Sequence, residues 1–445
     1  MTKFFSFLLL AGTALAAPAH AQDDPPPLEV DVIGGREGPT PVAVPVLPTP
    51  VPQMTPIGRT DVLGRTIAEL IASDLRATGI VTPIGPVGIR PLRMDEVRSP
   101  AFDEWRRTGA SALVSGYVEL ADNGRLTLAC YVFDTVTKRE LARQGFSVEP
   151  EDWRRAAHKC ADVVYTRLTG EGAFLDTRIV YVAETGPKNA RVKRIAIMDS
   201  DGSNHRYLTE GKETVITPRF SPDGSQLVYM SYKGRRPRVY KLDLATGREE
   251  LLVPGTAFTF APRYSPDGRN IVFSMGSYGN SDIYVVPARG GTPRRLTDMP
   301  GIDTAPSYSP DGSKIVFESD RSGSQQLYVM NADGSGQRRI SFGGGQYASP
   351  VWSPRGDLVA FTKIGGGQFR IGIMNASGGG EKLLTSSWQD EGPSWAPNGR
   401  FVMFHRTRQG SGDATLYAVP VDGGQPRIMP TPLGGSDPSW SPLQD

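Results

Sequence analysis

Apolar positions along this chain follow two rhythms, and the change between them divides it. Between residues 39 and 170 helix and strand periods alternate. Residues 42–47 form a short apolar run of strand type. Leu63, Ile67, Leu70, Ile71 and Leu75 then recur three and four apart, the stripe of an amphipathic helix, with Gly79 placed to stop it. Residues 113–118, 126–133 and 140–148 predict successive strands, the first two joined by an Asn123-Gly124 hairpin turn. Pro150 opens a second helix whose stripe of Trp153, Ala156, Ala157, Cys160, Ala161, Val164 and Leu168 predicts core positions throughout. The expectation is a mixed α/β domain over 39–170.

Beyond it the helical period disappears and a repeat takes over. Pro-x-aromatic-Ser/Ala-Pro-x-Gly starts at Pro218, Pro262, Pro306, Pro350 and Pro393, with an incomplete copy at Pro438, at intervals of 44, 44, 44, 43 and 45 residues. Each complete copy is followed nine residues on by a β-branched or aromatic triplet such as Ile315-Val316-Phe317, and later by a second strand such as residues 327–330. A period near 44 suits propeller blades or helical repeats. So many prolines and glycines would break helices, whereas hairpins need them. In Ser309-Pro310-Asp311-Gly312, proline presets the second turn position and glycine accepts the left-handed one. The repeated aromatic (Phe220, Tyr264, Tyr308, Trp352, Trp395, Trp440) predicts a filler between adjacent sheets.

The sixth motif lacks its triplet, because nine residues past Pro438 lies beyond Asp445. The missing triplet stands ahead of the first motif, at Ile179-Val180-Tyr181, followed by a strand over 194–198. The fold class expected is therefore two domains: a small α/β domain, then an all-β six-bladed β-propeller over 171–445. Chain from both ends completes the last blade, residues 179–181 lying beside strands from 402–430.

Residues 1–21 read as a secretory signal: Lys3, an apolar stretch, then Ala19-His20-Ala21 as cleavage site. Cleavage after Ala21 gives a periplasmic protein, with no membrane insertion and no lipid anchor. Residues 22–38 form an extended segment in which Leu28, Glu29, Val30, Asp31, Val32 and Ile33 alternate in strand period. Lys+Arg 49 against Asp+Glu 47, dispersed along the chain, supplies no reason to expect nucleic acid. Export allows Cys130 and Cys160 to form a disulfide, and two buried free thiols suit the sequence equally. Metal and cofactor are expected to be absent, because His158, His205 and His405 are far apart with no ligand spacing.

No Gly-x-Ser-x-Gly elbow is present, so no hydrolase nucleophile can be assembled. A lyase-type propeller would need clustered carboxylates, and the regularly placed aspartates of the Pro-Asp-Gly turns are turn formers instead. The alternatives to a binding scaffold are an exported propeller hydrolase or lyase, or a propeller holding a small ligand. Ala157-His158-Lys159, the junction from Leu168 through Gly170-Glu171-Gly172-Ala173-Phe174 to Ile179, and the Ser-Pro-Asp-Gly turns resemble the TolB family of the Tol–Pal envelope system. That resemblance spans the whole exported sequence. It implies a monomeric non-enzyme that binds the lipoprotein Pal at one propeller mouth and TolA through its N-terminal segment, maintaining the outer membrane and its invagination at division. The mouth role falls on Phe258, Ala261, Asp303, Thr304, Ala305, Asp390 and Glu391, and the TolA role on the six residues from Leu28 to Ile33. Two features depart from the family pattern: the acidic, proline-rich stretch 22–27 ahead of that segment, and phenylalanine at 258 where some members carry histidine.

Overall fold

The structure is a computed structural model that describes residues 38–255, 257–277 and 279–444. Residues 1–21, expected to be a signal peptide, and the segment Leu28 to Ile33 lie outside the described residues. Among the latter, no helix is long and apolar enough to cross a membrane.

The α/β part is a five-stranded sheet ordered Val81–Ile84, Thr40–Ala43, Ala112–Leu120, Leu126–Asp134, Glu140–Val148. Thr40–Ala43 runs parallel to both of its neighbours, and the remaining pairs are antiparallel. Helices α1 (Thr60–Thr78) and α3 (Trp153–Thr169) cover one face, with the short α2 (Phe102–Arg107) between them in sequence. The predicted stripe of α1 is buried, and Gly79 ends it at φ 72°. The apolar run at 42–47 is a strand only to Ala43, Val44 and Leu47 being buried in irregular chain. Trp153 and Leu168, expected in the core, are only partly buried at its margin. Cys130 on the strand Leu126–Asp134 and Cys160 on α3 are bonded, with their Cα atoms 5.8 Å apart, pinning helix to sheet. The strand Val81–Ile84 and helix α2 had no clear sequence signal, being short and proline- or charge-rich.

The rest is six four-stranded antiparallel sheets among the described residues, five built from consecutive chain. Blade 1 begins with Val215–Phe220, blade 2 with Phe258–Tyr264, blade 3 with Asp303–Tyr308, blade 4 with Gln346–Trp352 and blade 5 with Asp390–Trp395. The sixth sheet closes the ring. Its innermost strand Gly434–Trp440 pairs with Arg178–Thr185, which continues to Val192–Asp199 and Arg206–Tyr207. Closure thus joins both ends of the chain as expected, but the partner of residues 179–181 is Gly434–Trp440. The strands within 402–430 belong to blade 5, which is complete in itself. The reason is that the proline motif is itself a strand: it forms the innermost strand of every blade, and the triplets form the second.

The turns follow their chemistry. Ser309 Oγ donates to Asp311 (2.5 Å) and accepts from the Lys314 N–H (2.9 Å), while Gly312 takes φ 71°. The Ser309 hydroxyl, with the N–H and hydroxyl of Ser313, holds the Asp311 carboxyl down at about 2. Trp352, Trp395 and Trp440 are buried between sheets, and the Trp395 indole donates to the Val351 carbonyl of blade 4 (2.9 Å).

Candidate partner-binding site

All six innermost strands share one irregularity. Their pairing with the second strand slips between Ile216 and Arg219, Phe260 and Arg263, Thr304 and Ser307, Ala348 and Val351, Glu391 and Ser394, and Ser436 and Ser439. At each slip two residues face one, a β-bulge made of the repeat proline and the residue before it. Proline loses no ladder bond there because it has no N–H. The preceding residue is driven left-handed: Thr217 (φ 52°), Ala261 (49°), Ala305 (51°), Ser349 (51°), Gly392 (67°) and Asp437 (50°). For the five non-glycine residues this costs about 1–2 kcal/mol each. Strain repeated once per blade around a central axis marks a surface held to one shape, as at recognition sites.

Side chains tie the bulges together. The Thr217 N–H donates to Asp437 across the closing joint (3.3 Å), and the Ser349 N–H donates to Glu318 of blade 3 (2.6 Å). Glu318 is buried, and burial pushes its carboxyl up to about 7 against the opposing pull of Ser349 and Gln325. A carboxyl raised that far exchanges its proton near neutral pH, here on the second strand of blade 3.

The sequence-selected mouth residues separate into two sets. Asp303 and Asp390 are fully buried, the first bonded to Arg321 (2.6 Å) and the second held by both arms of Arg406 (2.7 and 2.9 Å). They brace their own blades and face no solvent. Phe258, Ala261, Thr304, Ala305 and Glu391 are half-exposed at the starts and bulges of the inner strands, and Thr304 accepts a hydrogen bond from Ser274 of blade 2 (3.0 Å). Small side chains at 261, 304 and 305 leave the rim open.

The joint between sheet domain and propeller is a second polar centre, built on the His158 motif and the 168–179 junction that stood out in the sequence. The Asp162 carboxylate accepts the N–H groups of Phe174, Leu175 and Asp176 at 2.8–3.1 Å, and Glu171 reaches Arg355 (3.0 Å) and Arg400. His158 on α3 meets Asp74 on α1 (Nδ1 to Oδ2, 2.7 Å). Its Nε2 has no hydrogen-bond partner and points toward Asp201 of the closing blade at 3.9 Å. Burial alone would strip the imidazolium of its proton, but Asp74 and then Asp201 reverse that and push it up to about 9. Among the described residues, His158, Asp199 and Asp201 are the one grouping whose ligand atoms come within 4.8 Å of one another. Arg154 already neutralises Asp201 and Asp74 occupies Nδ1, so the chemistry is that of a charged lock.

Sequence reasoning passed over the left-handed ring, Glu318 and the Asp74–His158–Asp201 chain. The ring had a faint signal: the residue before the repeat proline is glycine at 392 and aspartate at 437, both at home in left-handed backbone.

Comparison with known proteins follows the same division. The model of the TolB amino-terminal domain matches residues 28–141, and that of the TolB beta propeller domain residues 165–444. The Tol-Pal system protein TolB of Zymomonas mobilis is 61 % identical over 94 % of this chain and 91 % of the relative. That of Rhizorhabdus wittichii is 59 % identical over 98 % of both. The crystal structure of TolB from Acinetobacter baumannii superposes with a TM-score of 0.78 at 25 % identity, covering 92 % of this chain and 97 % of that one. With identity at this level across both domains and the same two-domain architecture, the chain belongs to the TolB family of Tol–Pal system proteins, which are not enzymes.

Proposed function

We propose that the chain is a periplasmic scaffold, exported by cleavage after Ala21, that binds the lipoprotein Pal at the propeller mouth and TolA through Leu28 to Ile33, serving outer-membrane integrity and division. The observation that carries the first contact is the ring of left-handed bulges, which fixes a shallow rim of small side chains in a fold whose family works in the Tol–Pal system. A rigid rim loses little conformational entropy on binding. Loops positioned by a scaffold are also where recognition concentrates.

Calorimetric titration with purified Pal tests this. Ala261→Trp fills the rim, and Glu391→Lys reverses its charge. Each variant is expected to weaken Pal binding by about 5- to 150-fold, the equivalent of roughly 1–3 kcal/mol, with an unchanged circular dichroism spectrum. Wild-type affinity in both variants would refute the mouth. Deleting residues 22–33 is expected to abolish TolA binding and leave Pal bound at least as tightly.

A further inference from the structure

The inner strands run from the rim to the Ser-Pro turns, where they end around a cavity of about 410 Å³ on the channel axis. The residue after each repeat proline faces this end. It is Arg219 in blade 1, Arg263 in blade 2, Ser307, Val351 and Ser394 in blades 3 to 5, and Ser439 in the closing blade. Two guanidinium groups therefore sit on the inner strands of adjacent blades, flanked by Ser439 and Ser307 and facing Val351 and Ser394 across the channel.

Their surroundings do not neutralise them. One terminal nitrogen of Arg219 donates to the main-chain carbonyls of Pro218 (2.8 Å), Asp437 and Pro438 (both 3.3 Å), leaving the rest of its fork open. Arg263 has no hydrogen bond or ion pair among the described residues, so all five of its N–H groups are available. The nearby carboxylate is Asp437, which already accepts the Thr217 N–H. Arg263 is half-buried beside the cavity, and desolvation together with Arg219 depresses its pKa. Half-buried like charges with open donors, partly stripped of water, are costly unless a counter-charge joins them. Ser307 and Ser394 accept the N–H groups of Trp352 (3.3 Å) and Trp440 (3.1 Å), so their hydroxyl protons remain free to donate into the same space.

We propose that the turn end of the channel is a receptor for a small oxyanion, phosphate or carboxylate, gripped by Arg219 and Arg263 and faced by the serine hydroxyls. The guanidinium fork matches both anions in two-point geometry. The volume holds a multivalent small anion with a few waters. This site lies past the bulges from the rim, and it stands independently of Pal or TolA binding.

The test uses the whole exported protein with inorganic phosphate and, separately, citrate, against sodium chloride at equal ionic strength. Calorimetry is expected to give saturable binding, and the melting temperature rises with the probe. Arg219→Ser and Arg263→Ser, which install the residue of other blades, each weaken binding by about 10- to 100-fold. The double variant abolishes it and, with no probe present, melts no lower than wild type because two like charges are gone. Arg263→Lys keeps the charge without the fork and binds more weakly than wild type but better than Arg263→Ser. Preference for phosphate or for citrate assigns the ligand class, and either preference supports the site. Absence of saturable binding to wild type, or binding retained by the double variant, overturns it.

Discussion

Trp440 is where the ring is fastened, and Trp440→Ala is the sharpest test of that role. The indole is buried between blade 5 and the closing sheet, within 6.1 Å of the Phe174 ring from the domain junction. Its Nε1 donates to Thr177 Oγ1 (2.8 Å), its own N–H donates to Ser394 Oγ (3.1 Å), and its strand position pairs with Ile179. Truncation of a buried tryptophan costs about 3–5 kcal/mol. Losing the indole bond adds about 1 kcal/mol at most, because Thr177 keeps its own donation to the Phe174 carbonyl. Unfolding entropy is about 2.1 cal/mol/K per residue, so the melting temperature should fall by about 4–10 °C, less if the whole described chain unfolds as one unit and more if the propeller unfolds alone. Differential scanning calorimetry reads this directly. Removing residues 443–445 is the control: Leu443 is exposed and the Gln444 N–H makes one main-chain bond to Asp176 (3.2 Å), so the shift there should stay within about 0.5 kcal/mol. If Trp440→Ala melted with wild type, the last strand would be an appendage and the ring would be closed by something else.

Four further outcomes follow from the same structure. Ala305→Gly relieves about 1–2 kcal/mol of left-handed strain against about 0.5–1 kcal/mol of added chain entropy, so urea denaturation should show it more stable by roughly 0.5–1 kcal/mol. Gly392→Ala should lose about 1–2 kcal/mol, since its new Cβ would also stand 3.1 Å from His405 Nδ1. His158 has a raised folded-state pKa, so its contribution is whole below pH 6.5 and is lost as pH climbs through about 9. The ceiling is roughly 3 kcal/mol, and Asp74, itself pushed up by burial, returns part of it. Wild-type stability should therefore fall over that window, and His158→Gln should flatten the fall. Replacing Cys130 and Cys160 by alanine opens a link between residues 30 apart in sequence. That should cost about 3–4 kcal/mol on the chain-entropy account, read from the urea midpoint.

The sequence alone determined the fold class, the number of blades and the fact of closure at both ends. A 44-residue proline–glycine repeat leaves strands as the only regular element, and six motifs against five downstream triplets can be reconciled only by borrowing a strand from ahead of the first. The stripe of α1 and the Ser-Pro-Asp-Gly turns were legible for the same reason: their energetics are local, set by side-chain period and by the φ each residue accepts. What tertiary structure decided is whatever depends on residues far apart in sequence. That Asp303 and Asp390 are buried ion-pair members follows from Arg321, in the turn after the second strand of blade 3, and Arg406, on the second strand of blade 5. The left-handed ring arises because a proline-bearing inner strand must stay paired with an unbroken second strand, and the mismatch of two residues against one is absorbed where no N–H is lost. Arg219 and Arg263 read as ordinary strand residues until six blades meet on one axis and place them in a shared cavity. His158 was conspicuous in sequence, but its charge was not. Its proton is held by carboxylates 84 residues upstream and 43 residues downstream in number, which only the docking of two domains brings to one imidazole.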